Sequence, residues 1–205
     1  MMVGMDEVEV DRVLRAGGLA CPGCAAALTP WGYGRVRRVR GLPDPLRPRR
    51  ARCVGRCAGR THVLLPTSCL VRRADTVAVI GAAVVAKAEG SGHRPIAEEL
   101  GRPASTVRGW LRSFTVVAGV VRAAVLGLLV EVDPLCGPLP AGGSQVADAV
   151  EVIGLAGAGV VRRLGAAVGG WSPWQVVSAV TAGWLLHPAR CLESINTSSL
   201  WAGGV

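Results

Sequence analysis

Cys21-Pro-Gly-Cys24 and Cys53-Val-Gly-Arg-Cys57 are the residues of this chain best suited to chemistry. Two short-spaced thiol pairs, separated by 28 residues, can close around one tetrahedral ion. Four thiolates would surround and neutralise such an ion. Because no site exists in an unfolded chain, the binding free energy would become folding free energy for the segment around it. The first pair is a tight knuckle built on Pro22 and Gly23. The second has three residues between its cysteines where a zinc ribbon has two, and His62 lies close enough in sequence to act as a substitute ligand. Structural zinc is therefore the expected cofactor. Reduced, unliganded thiols are one alternative, and a redox Cys-x-x-Cys pair is another, although the strand-helix context of a thioredoxin-like site is missing. Cys69, Cys136 and Cys191 are expected to be small buried residues.

A second constellation runs from Ile96 to Leu111, where two apolar helical segments flank Gly101. Ala97 suits a close helix crossing, Gly101 can adopt the positive φ of a tight turn, and Ile96, Leu100, Val107 and Trp110 fall on inward faces. That is the pattern of a helix-turn-helix. Its second helix lies in the major groove with its N-terminal residues toward the base edges, which nominates Ala104, Ser105, Thr106, Arg108 and Arg112 as DNA contacts. The bland alternative is a helical hairpin inside a core. Arg102 occupies a turn position where such motifs carry an aliphatic residue, and Gly109 weakens the second helix by about 1 kcal/mol relative to Ala.

The charge distribution agrees with a polyanionic partner. The 205 residues carry a formal net charge of +9 and an isoelectric point near 10.1. Between Arg35 and Arg73 there are twelve arginines against one acid, Asp44, whereas from Val116 onward only Arg122, Arg162, Arg163 and Arg190 are basic. Arg35, Arg37, Arg38, Arg40, Arg47, Arg49 and Arg50, with Arg52, Arg56 and Arg60, are expected to hold phosphates of duplex DNA, supplying affinity without sequence information. A solvated charged face is the other reading of such a run. Trp31 and Tyr33 precede it and offer stacking on unpaired bases, but two aromatics are few for that role.

No catalytic constellation is legible, and the protein is not expected to be an enzyme. His62, His93 and His187 lie in different segments, with His93 read as a helix start and His187 as a helix end. Glu131, Asp133, Asp148 and Glu151 fall at helix ends and on exposed helix faces rather than in the cluster that two-metal phosphoryl transfer needs. There is no glycine-rich phosphate loop, and Asn196-Thr197-Ser198 is a chance glycosylation match.

These motifs require a mainly α protein in four segments. An acidic lead-in covers 1–18, an Arg-rich zinc-ribbon-like β module 19–70, a trihelical helix-turn-helix domain 71–115, and an apolar helical region 116–205 that packs or dimerises. In the second segment Pro30, Pro43, Pro45 and Pro48 exclude long helices and leave strands such as Arg35–Arg40 and Thr61–Leu65 in a module too small and polar to build a core unaided. In the third, Asp75 is read as the cap of a helix bearing Val77, Ile80 and Val84. The last region shows three apolar stripes, beginning at Val116, Val146 and the Ser172-Pro173 cap. Gly154, Gly157 and Gly159 weaken the second stripe as a helix. Met1 to Asp11 carries four acids and no apolar run, so a cytoplasmic, nucleoid-associated address is expected. Leu164 to Leu186 is uncharged, but Gly169-Gly170, Ser172, Pro173 and Gln175 interrupt it, which argues against a membrane span.

Cys21-Pro-Gly-Cys24, Arg50-Ala-Arg-Cys53, Gly59-Arg-Thr-His-Val-Leu-Leu-Pro66 and Leu100-Gly-Arg-Pro-Ala-Ser-Thr-Val-Arg-Gly-Trp-Leu111 together resemble a family of actinobacterial zinc-ribbon, helix-turn-helix proteins of largely unknown function, whose reading domain looks like that of insertion-sequence transposases. The resemblance runs from Cys21 to Phe114, and Asn196-Thr-Ser-Ser is less specifically similar. It implies DNA binding linked to transcription or mobile elements, with the four cysteines as metal ligands. The extra residue between Cys53 and Cys57 departs from the pattern. Two rival functions remain open at this point: the DNA-binding part of a transposase or recombinase system, and a membrane-associated regulator.

Overall fold

The computed structural model describes residues 1–4, 6–139, 143–168 and 170–196. Among them the protein is mainly α, with seven α-helices, a short 3-10 helix and two small sheets. Thr197 and Ser198 of the Asn-Thr-Ser sequence, and Gly169 of the Gly169-Gly170 interruption, lie outside the described residues.

The N-terminal half is organised by an antiparallel sheet of β2 (Leu28–Tyr33), β3 (Arg49–Cys53) and β4 (Thr61–Val63), in the order β2-β3-β4. Along β3 the side chains alternate as a pleated strand demands: Arg49, Ala51 and Cys53 are buried, whereas Arg50 and Arg52 are half-exposed. Helix α1 (Glu7–Arg15), started by the Asp6 carboxylate accepting the Glu9 amide at 2.8 Å, lays Val10 and Leu14 over β2 and β3. Strand β1 (Met2–Val3) runs parallel to β5 (Leu65–Pro66). Val3, Val10, Leu14, Leu19, Leu28, Ala51 and Leu64 thus form a small core that includes Cys21 and Cys53.

Two expectations change here. The lead-in over 1–18 is part of the module and supplies the apolar surface the module lacks, while its acids lie outward in pairs such as Glu9–Arg12 and Asp11–Arg15. No strand forms over Arg35–Arg40. Only single bridges occur, Arg37 with Leu46 and Arg40 with Asp75, because the segment opposite Arg37 contains Pro43, Pro45 and Pro48, which cannot donate to a ladder.

The remaining helices are α2 (Val77–Ala88), α3 (His93–Glu99), α4 (Ala104–Val132), α5 (Gln145–Leu164), α6 (Pro173–Val180) and α7 (Pro188–Ser194). The N-cap of α2 is Thr76 rather than Asp75, which is buried beside it. His187 is the N-cap of α7 rather than a helix end. Ser172 and Gln175 form a reciprocal capping box at the start of α6. Helix α4 is one rod of 29 residues, so the stripe expected to begin at Val116 is the continuation of the helix that begins at Ala104, and the 115/116 boundary falls inside it. No breaker lies between Phe114 and Val116, and the buried row Val107, Trp110, Phe114, Val117, Val121, Val125, Leu128 keeps helical period throughout. Consequently α2, α3 and the C-terminal helices share one core.

Glycines let these helices approach closely. A Cβ at Gly157 would lie 2.7 Å from Pro173 of α6, one at Gly159 2.6 Å from Val132 of α4, and one at Gly81 2.5 Å from the Trp174 ring. The glycines that weaken α5 as an isolated helix are therefore what seats it. Of the described helices, α4 alone is long and apolar enough to cross a bilayer, and its inward face packs on α2, α3, α5 and α7. Leu164 to Leu186 is divided between the end of α5, the 3-10 helix and α6.

Candidate functional site

Two turns bring the cysteines together. Cys21 and Cys24 sit in a knuckle ahead of β2, closed by the Ala25 amide donating to the Cys21 carbonyl and the Cys21 amide donating to the Ala26 carbonyl, both at 2.8 Å. Cys53 ends β3 and Cys57 follows in a loop tied back by the Cys53 amide to the Arg60 carbonyl at 2.9 Å. The Sγ atoms of Cys21, Cys24 and Cys57 all lie within 4.8 Å of one another. Cys53 Sγ is 3.4 Å from Cys24 Sγ, and His62 Nε2, carried on β4, is 3.5 Å from Cys21 Sγ. Sulfurs around a tetrahedral zinc, at about 2.3 Å from the metal, would stand about 3.8 Å apart. The cluster therefore has the size and donor chemistry for a metal ion.

Glycine is required at the second knuckle and leaves little room for a side chain at the first. A Cβ at Gly55 would lie 2.3 Å from Ala26 Cβ and 3.3 Å from Cys24 Sγ, and one at Gly23 would lie 3.1 Å from Cys57 Sγ. The local electrostatics already favour a thiolate. Backbone amides of Ala26 and Cys57, and then the Cys53 thiol, hold Cys24 down at about 6. Cys57, bonded to Cys24 and withdrawn from water, is pushed up to about 11, and burial raises Cys53 as well. Burial, then the Met1 amine and Arg60, lowers His62 and so favours its neutral ring, the form that can ligate a metal. The other three cysteines are separate from this cluster. Cys69 and Cys191 are buried, the latter raised to about 11 by that burial, whereas Cys136 is only half-buried.

Farther along, α3 and α4 are joined through Gly101, whose φ of +60° is the left-handed value its position calls for. Ile96, Ala97, Val107 and Trp110 are buried and Leu100 half-buried. On the outer side of α4, Ala104, Ser105, Arg108 and Arg112 are exposed and Thr106 is half-buried. The Arg102 guanidinium has an internal role, donating to Asp75 at 2.6 Å and to the Leu100 and Gly101 carbonyls at 3.1 Å.

The arginine run divides into two groups. Arg35, Arg38, Arg47, Arg56 and Arg60 are exposed, and Arg37, Arg50 and Arg52 are half-buried. Arg40 is bound to Asp75 at 2.6 Å. Arg49 is 7% exposed, pairs with Asp11 at 2.8 Å, donates to the Gly32 carbonyl and lies over the Tyr33 ring. Its expected role as a phosphate contact is therefore corrected: its place between Asp11 and Tyr33 leaves its charge little access to solvent. Arg47 lies over Tyr33 too, and Arg52 over Trp31, so each of the two aromatics is packed against arginine.

Sequence reasoning gives Lys87 no role and reads His93 only as a helix start. They come from the end of α2 and the start of α3 to meet Arg108 and Arg112 around an open depression of about 360 Å³. Only the type of Lys87, the one lysine in the chain, could have drawn notice. The chain matches no protein-family model, no curated protein and no solved structure.

Proposed function

We propose that the protein binds duplex DNA through α3 and α4 acting as a helix-turn-helix, with the N-terminal module folded as a zinc ribbon around a structural zinc ion. The observation that carries this reading is the exposed row Ala104, Ser105, Arg108 and Arg112 on the first turns of α4, immediately beyond the Gly101 turn. A helix presented in this way fits a major groove. The exposed arginines Arg35, Arg38, Arg47, Arg56 and Arg60 would add affinity through phosphates wherever they face the duplex. Cys21, Cys24, Cys53 and Cys57 would hold the zinc, with His62 beside Cys21. The ion would serve as a staple joining the two knuckles, and the exposed Val116 and Val130 of α4 and Leu155 of α5 would be covered in a homodimer formed through these helices.

Selection from randomised duplexes with the zinc-loaded full chain, at near-physiological salt, tests the reading. An enriched motif supports it, and its half-site spacing would report dimerisation. Binding confined to low salt with no enrichment overturns sequence reading by α4. Metal analysis of the purified chain should return one zinc per chain, and a zinc-free chain with reactive cysteines would overturn the structural role.

A further inference from the structure

The depression between α2, α3 and α4 is a place where positive charge is gathered and left unneutralised. Three cations, Lys87, Arg108 and Arg112, line it together with the His93 ring, the buried Leu111 side chain and the exposed Thr115. Several arginines elsewhere are matched by acids, Arg12 with Glu9, Arg15 and Arg49 with Asp11, Arg40 and Arg102 with Asp75, and Arg162 with Asp133, and others, such as Arg35 and Arg38, are exposed on the N-terminal module. Among the described residues, no carboxylate pairs with any of the four groups at this site. Like charges held together repel, and an anion entering between them relieves that repulsion. The volume of about 360 Å³, against roughly 30 Å³ per water in the liquid, admits a phosphate group with its hydration.

We propose that this depression seats one backbone phosphate of duplex DNA, with Lys87 and His93 closing on it from one side and Arg108 and Arg112 from the other. The proposal rests on the duplex-binding reading above. The source of the phosphate is argued from continuity: Arg108 and Arg112 are one helical turn apart on the same exposed side of α4 as Ala104 and Ser105. An anion in the depression therefore adjoins the surface assigned to DNA. It follows that Arg108 and Arg112 set the register of α4 on the duplex, leaving base discrimination to Ala104 and Ser105.

The test compares the zinc-loaded full chain with Lys87→Gln/His93→Gln and, separately, with Arg112→Gln, on a selected duplex and on a scrambled one over a range of salt. Each variant should weaken binding several-fold and equally on both duplexes, and should reduce the slope of log affinity against log salt by about 0.9, the value for one phosphate. An unchanged slope, or a loss confined to the selected duplex, overturns the phosphate seat while leaving the wild-type DNA reading in place. Failure of the wild type to bind either duplex overturns the DNA reading itself. Inorganic phosphate, titrated against the His93 ring resonances, separates the two sources. Saturation at submillimolar phosphate in a chain that does not bind DNA would reassign the depression to a small phosphorylated ligand and overturn the backbone source.

Discussion

Asp75 and Arg102 meet at 2.6 Å where the N-terminal module adjoins the helices, with the Asp75 carboxylate 3% exposed and its second oxygen held by Arg40, also at 2.6 Å. One buried acid thereby links three parts of the chain: the loop that carries Arg40, the approach to α2, and the turn between α3 and α4. In the proposed helix-turn-helix Arg102 stands where an aliphatic residue is usual, and this pairing accounts for the departure. Its guanidinium also satisfies the carbonyls of Leu100 and Gly101 at the end of α3.

Asp75→Asn should therefore be costly. It leaves Arg102, only 18% exposed, without its countercharge, and breaking one side of a buried pair costs on the order of 3 kcal/mol. Arg40→Gln should cost under about 1 kcal/mol, because the Arg40 side chain is 44% exposed and water screens its charge. Urea unfolding of the two variants checks the order. Equal costs would show that Asp75 is not the organising charge.

Removal of the proposed zinc should separate the two cores. Val10, Leu14, Leu28 and Leu64 cluster around Cys21 and Cys53, whereas the helical core runs from Leu70 to Cys191 without them. Chelation should expose the four clustered thiols to alkylation and loosen β2-β3-β4, while the helical circular-dichroism signal changes little. Loss of the helical signal together with the metal would mean that the two cores are energetically one.

In the metal-free chain the cysteines should react in a defined order. Cys24 is lowered to about 6 and Cys57 raised to about 11, so at pH 7 Cys24 is mostly thiolate and Cys57 is not. Alkylation of Cys24 should rise with pH and level off above about 7, with Cys57 reacting only after Cys24. The sign for stability follows from the same lowering. Ionised Cys24 favours the folded form fully above its ordinary value of 9.0, and that contribution fades as pH falls through about 6. Mass mapping of the labelled peptides at each pH checks the order.

Much of the helical half was legible because periodicity carries through breaker-free sequence: α2, α3, α5 and α6 were expected from their apolar stripes, and the Ser172-Pro173 start of α6 from its cap. The four cysteines and His62 were legible from spacing alone. The role of Met1 to Arg15 was not, because Val10 and Leu14 stand among acids and arginines, and what they cover, Leu28 and Ala51, is distant in sequence. Asp75 looked like a cap because caps are local and its two arginine partners are not. The Lys87–Arg112 depression was hidden for the same reason, since three helices had to converge before its charges became neighbours.

The glycines of α5 give a paired prediction, because two of them differ in surroundings and not in helix geometry. A Cβ at Gly154 meets nothing within 4 Å, whereas one at Gly157 lies 2.7 Å from both Cα and Cβ of Pro173. Gly154→Ala should stabilise by up to about 1 kcal/mol, the ordinary helix-propensity gain. Gly157→Ala starts from the same gain but must force α6 away from α5, and overpacking of that kind costs about 1 to 3 kcal/mol. The Trp174 ring follows Pro173 directly and fills the space over Gly81 and against Phe114, so the displacement would also disturb the centre of the shared core. Urea midpoints of the two variants should move in opposite directions from the wild type. Stabilisation by both would mean that the close approach of α5 and α6 does not hold in solution.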